Sequence, residues 1–142
     1  ALLVASGQRL WRHCEPFLRA APAKRAPCKQ PLASALELLE NLPPESRAPL
    51  TNLRVQLYDL MLSLLADASE WASGLRLLAS AFSSLPESSH EGLWENKVRF
   101  ICKSGGKGLA GEMLKLKDFS VETQARVWAA VGTNSEKRGE RL

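Results

Sequence analysis

Apolar side chains recur along this chain at three- and four-residue spacings, and clusters of proline and glycine cut the segments that carry them apart. Proline cannot continue a helix, and glycine readily takes the left-handed backbone that ends one. The pattern predicts seven helices. The first covers about residues 2–20, with Leu3, Leu10, Trp11, Cys14, Phe17 and Leu18 near the 3.6-residue period and a kink at Pro16. A basic linker containing Pro22 and Pro27 fills residues 21–30. Pro31 then opens the second helix, whose stripe is Leu32, Ala35, Leu36 and Leu39, and Leu42-Pro43-Pro44 stops it.

The third segment, about 49–66, carries Leu53, Val55, Leu57, Leu60, Met61, Leu62, Leu64 and Leu65, which leaves little polar face and predicts burial among several neighbours. The fourth runs to Leu85 with Trp71, Leu75, Leu78 and Phe82 inward. It begins near Asp67-Ala68-Ser69-Glu70, a cap residue followed by Glu that resembles a capping box. Ser88-Ser89-His90-Glu91 has the same spacing and opens a fifth helix through Leu93, Trp94, Val98, Phe100, Ile101 and Cys102, broken by the glycines of residues 104–108. A short sixth helix at 109–117 precedes a seventh at 121–131, with Val121, Ala125, Trp128 and Val131 in line and a polar tail at 132–142.

Short connections favour antiparallel neighbours, so the expected architecture is a row of helical hairpins. Residues 55–88 can be laid on the 34-residue tetratricopeptide pattern. Trp71, Gly74, Leu78, Ala81 and Pro86 then take the second-helix positions, and Tyr58, Met61 and Leu65 suit the first, where Leu62 stands in place of a small residue. The same spacing serves any hairpin that needs small residues at a crossing. Composition fixes the fold class: 25 Leu and 18 Ala against 6 Val, 3 Thr and 1 Ile make the chain all-α. Its 142 residues suit one helical-repeat segment, and the Ala start and polar end suggest part of a longer chain. No apolar run approaches the roughly 18 residues of a membrane span. Three cysteines, at positions 14, 28 and 102, make neither a disulfide framework nor a zinc-type pair and fit a reducing compartment.

Catalytic signatures are thin. His13 and Cys14 are adjacent on a helix, about 100° apart, and so do not converge on one atom; His90 suits a helix start. Ser104-Gly105-Gly106-Lys107-Gly108 has Gly108 where a phosphate loop needs Ser or Thr after its lysine, and it follows a predicted helix rather than a buried strand. No catalytic, cofactor-binding or metal-ligating residue is expected. The net charge of +4 is uneven. Residues 1–30 hold six basic and one acidic side chain, residues 31–100 five and nine, and residues 101–142 eight and five. The basic ends suit an acidic protein surface; without interleaved aromatics or a helix-turn-helix signature they do not suggest nucleic acid.

Two stretches resemble a known family. Leu85-Pro86, His90, Leu93-Trp94, Lys97-Val98 and Phe100, then Lys103 and Gly105, then Leu116-Lys117-Asp118 and Gln124-Ala125-Arg126-Val127-Trp128, resemble the large helical-repeat proteins of the ciliary central apparatus. So does Leu10-Trp11 with Pro16-Phe17-Leu18. The resemblance implies a non-enzymatic scaffold in a projection of the central microtubule pair, in the cytoskeleton of the cilium or flagellum. Its partners would be other projection subunits and the microtubule surface, with no membrane. The alternative is a small autonomous cytoplasmic adaptor that takes an amphipathic or acidic peptide between its helices. Candidate contact residues are Lys24, Arg25 and Lys29 in the linker and Lys137, Arg138 and Arg141 in the tail, with Trp94 and Trp128 as inter-helix anchors.

Overall fold

A computed structural model describes residues 26–139, together with Gln8, Arg9, Arg12 and Pro16, and side chains as far as Asn134. Of the first predicted helix only those four residues are described, all four helical; Trp11, His13 and Cys14 lie outside the described residues, as do Lys24, Arg25 and Arg141. The regular elements among the described residues are all helical, with no strand among them. The chain divides into two compact units, residues 1–69 and 70–142.

In the first unit a 3₁₀ turn, Ala26–Cys28, leads into α1, Lys29–Glu40, so the end of the expected linker is already helical. Pro31 sits at the third helical residue rather than the first. It is tolerated there because first-turn amides have no carbonyl partner within the helix. Leu32, Leu36 and Leu39, spaced i, i+4, i+7, are the buried face of α1, and they pack on α3, Thr51–Asp67. Between them come α2, Pro44–Arg47, and a 3₁₀ turn, Ala48–Leu50, where the sequence pattern had predicted only a stop.

As expected, α3 is buried over most of its surface, from Leu57 and Tyr58 to Leu64 and Leu65, and a narrow stripe through Asn52, Gln56, Asp59, Ser63 and Asp67 is exposed or half-exposed. Its one buried charge, Arg54, is held in a fork: Nε donates to Glu40 Oε1 at 2.6 Å and Nη2 to Oε2 at 2.9 Å. A buried guanidinium is tolerable only with such a partner. Arg47 Nη1 donates to the Glu40 carbonyl at 3.2 Å, so the end of α1 is tied to both following elements.

The second unit is built around α5, His90–Lys103, which packs on α4, Trp71–Ser84, and on α7, Val121–Gly139. Between α5 and α7 lie α6, Leu109–Met113, and a 3₁₀ helix, Leu114–Asp118. α4 and α5 form an antiparallel hairpin: Gly74 near the start of one meets Phe100 near the end of the other, and Phe82 meets His90. α5 and α7 run parallel, because Glu91 meets Thr123 and Glu95 meets Arg126 in the same order along both helices. The row of hairpins expected from short loops therefore fails here. Residues 104–120 carry the chain back along α5 before α7 starts.

Local termini also depart from the sequence reading. The expected capping boxes do not form, since neither α4 nor α5 has a side-chain cap hydrogen bond. Asp67, the expected cap, is instead the last residue of α3; only residues 68–70 separate that helix from α4, Ser69 takes a left-handed φ of 56° there, and Glu70 stands at the N-cap position. Ser88 and Ser89 belong to a 3₁₀ turn, Glu87–Ser89, that feeds directly into α5. The glycine break after α5 behaves as predicted. Gly106 N–H bonds the Ile101 carbonyl at 2.8 Å and Gly105 N–H the Cys102 carbonyl at 3.4 Å, a Schellman ending that needs the positive φ of Gly105.

Candidate interaction surface

The core of the second unit gathers Trp94, Val98, Leu116 and Val127, with Phe82, Met113, Phe119 and Ala130 packed around them. Trp94, one of the two tryptophans singled out in the sequence, is buried here. Its ring lies edge-on to Phe82 at 5.8 Å and to Phe119 at 5.7 Å between centroids. Lys97 covers the same cluster with its Nζ 4.8 Å from the Phe82 centroid and 4.6 Å from that of Trp94. That ammonium pairs with Glu112 Oε2 at 2.7 Å, and Lys115 Nζ donates to Oε1 at 3.0 Å, which fastens α6 to α5. Burial opposes the charge on Glu112, but the two ammonium groups outweigh it and hold its carboxyl below the ordinary glutamate range.

α7 is set by a hydroxyl relay. Ser120 Oγ accepts from the Thr123 amide at 3.2 Å and donates to Thr123 Oγ1, which donates to Glu91 Oε2 at 2.8 Å. Thr123 is thereby pinned inward, and Val127, four residues on, follows it into the core. This rotates the helix about 100° from the face read in the sequence. Val121 is 83% exposed and Trp128 58%, and Ala125 is exposed beside them. Trp128 is consequently no core anchor; only Val131 of that stripe is partly buried. The helix has two apolar faces, and the longer-range one is turned to solvent.

The same thing happens in the 3₁₀ helix opposite. At three residues per turn, Leu114 and Leu116 cannot share a face. Leu116 enters the core and Leu114 stands 75% exposed. Leu109, Ala110, Met113 and Leu114 on one side and Trp128 and Val131 on the other line an open apolar groove of about 370 Å³. The sequence reading missed it. The available signal was the pair of apolar residues at i, i+2 in a helical segment, together with apolar residues on two sides of α7.

Of the other expected contact residues, Lys29 begins α1 in the first unit and is half-buried. Lys137 and Arg138 fall within α7, whose backbone runs to Gly139 rather than ending at Val131; their side chains lie outside the described residues. Among the described residues no group of three His, Cys, Asp or Glu side chains could hold a metal ion, and no helix is long and apolar enough to cross a membrane. His90 is engaged structurally, its Nε2 donating to the Leu85 carbonyl at 2.9 Å. No family model matches this chain, and no solved structure matches it. What the fold defines is an all-helical protein with an apolar groove open to solvent on the α6–α7 face.

Proposed function

We propose that this chain is part of a non-enzymatic interaction scaffold in the C1 projection of the central pair of the ciliary or flagellar axoneme, contributing to ciliary movement. It binds neighbouring projection proteins, and the microtubule surface through its basic ends, in a hetero-oligomeric assembly; it uses no cofactor, nucleic acid or membrane. The sequence motifs resemble those of cilia- and flagella-associated protein 46 and related central-pair proteins. A tetratricopeptide-like solenoid segment is the architecture proposed for this chain, with Gly74, Leu78 and Ala81, all buried, at the crossing positions of α4.

The observation that carries the reading is the open apolar face of α7 with its adjoining groove, because exposed Trp and Leu together mark a surface that another protein covers. The lysines beside the groove favour a second reading, an autonomous adaptor that takes a peptide there. Crosslinking of native axonemes followed by mass spectrometry tests the first. Crosslinks from Lys115 or Lys117 to central-apparatus proteins are expected. A chain that is absent from axonemes, or that is native at about the 15.6 kDa of this sequence, would overturn it in favour of the adaptor.

A further inference from the structure

We infer that the α6–α7 groove receives one amphipathic helix from a partner protein, with acidic residues flanking its apolar stripe. The inference rests on the reading, common to the scaffold and the adaptor, that this face binds another protein, and it names the occupant of that surface.

The shape argues for a helix. Both walls are helical, one from α6 and the 3₁₀ turn and one from α7, and the described residues offer no strand edge on which an extended peptide could add. One tryptophan is too little aromatic lining for a proline-rich ligand. A groove of about 370 Å³ holds roughly three leucine-sized side chains, the i, i+3 or i+4, and i+7 anchors of an incoming helix.

Charge argues for acidic flanks. Lys117 stacks on the face of Leu114, three residues away in a 3₁₀ helix, and Lys107 lies two residues before Leu109. Both are exposed, and neither has an ion-pair partner among the described residues. Lys115, also on this segment, is 60% exposed beside Glu112. Residues 103–131 hold five basic and three acidic side chains; with Lys115 paired to Glu112 and Arg126 to Glu95, Lys103, Lys107 and Lys117 stand against Asp118 and Glu122. A basic-flanked helix would meet these cations; an acidic-flanked one would pair with them.

The test measures fluorescence anisotropy of two labelled 18-residue helical peptides that share a leucine stripe and differ only in Glu or Lys flanks, titrated with the 142-residue chain. The Glu-flanked peptide is expected to bind at least about tenfold more tightly, a preference that shrinks as salt rises. Lys107→Glu with Lys117→Glu should abolish the preference, and Trp128→Ala should weaken both peptides; all are surface changes, and unchanged far-UV circular dichroism confirms folding. Equal binding of the two peptides, or no binding above a scrambled control, overturns the inference. The axonemal crosslinks stand or fall separately: acidic preference in a chain absent from axonemes would sink the ciliary reading alone.

Discussion

Gly74→Ala places a methyl group where the structure has no room for one. Glycine in a helix interior costs about 1 kcal/mol relative to alanine, so in a solvated helix this substitution would stabilise by that amount. At Gly74 the new Cβ would lie 1.9 Å from Phe100 Cε1 and 2.2 Å from Cδ1. Carbon atoms pack at about 3.5–4.0 Å, so the ring has to move. Phe100 is wholly buried and stands edge-on to Trp71 at 5.3 Å, which leaves no empty space to move into. Overpacking costs about 1–3 kcal/mol and loss of the ring pair about 0.5–1.5 kcal/mol. Set against the helix gain, the net loss is about 2 kcal/mol. Gly132, inside α7, has nothing within 4 Å of an added Cβ, so Gly132→Ala should stabilise by about 0.5–1 kcal/mol. Urea denaturation followed by tryptophan fluorescence should therefore show one substitution type moving stability in opposite directions at two sites. The two melting temperatures should differ by on the order of 10 °C. Phe100→Leu should recover part of the Gly74→Ala loss in the double variant, with a coupling above about 1 kcal/mol. Gly74→Ala as stable as the parent chain would refute the close approach of α4 and α5.

The two tryptophans singled out in the sequence should part company. Trp94→Ala is expected to cost about 3–5 kcal/mol, and Trp128→Ala less than about 1 kcal/mol, by the same denaturation assay; similar losses at both would mean that α7 is turned the other way. Burial pushes the Asp59 carboxyl from 3.8 up to about 6. The native state therefore holds a proton there that the unfolded chain releases, and stability falls as pH rises between those values, with the cost fully present above them. Asp59→Asn should gain about 2 kcal/mol more, relative to the parent, at pH 7.5 than at pH 4, and a pH-independent difference would contradict the burial. Ser69→Gly should stabilise by about 1 kcal/mol by relieving its left-handed backbone, measurable as a higher melting temperature; a loss would mean that the hydroxyl matters more than the strain.

Helices and their breaks were largely readable along the chain because they rest on local physics. The spacing of Leu32, Leu36 and Leu39, the largely apolar surface of α3, the stop at Pro86 and the glycines after α5 each depend on a few neighbouring residues, and each is found where the pattern puts it. Caps were less readable. The cap motifs before α4 and α5 have the right residue types, but the preceding turns take the backbone those residues would have needed. Ser120, which does bond the first turn of α7, stands in no Ser-x-x-Glu pattern.

What sequence determined by itself was the secondary structure and the apolar stock of each segment. Which apolar face goes inward was decided in three dimensions. α7 carries Val127 and Ala130 on one side and Val121 and Trp128 on the other, and its periodicity alone favours the second. The Ser120–Thr123–Glu91 relay binds the first side to α5, since a polar chain of that kind is satisfied at only one rotation of the helix. Leu116 and Leu114 divide in the same way, one to the core and one to the groove. The groove exists because two segments each had more apolar surface than one core contact could cover, a property of the packed unit that neither segment displays alone.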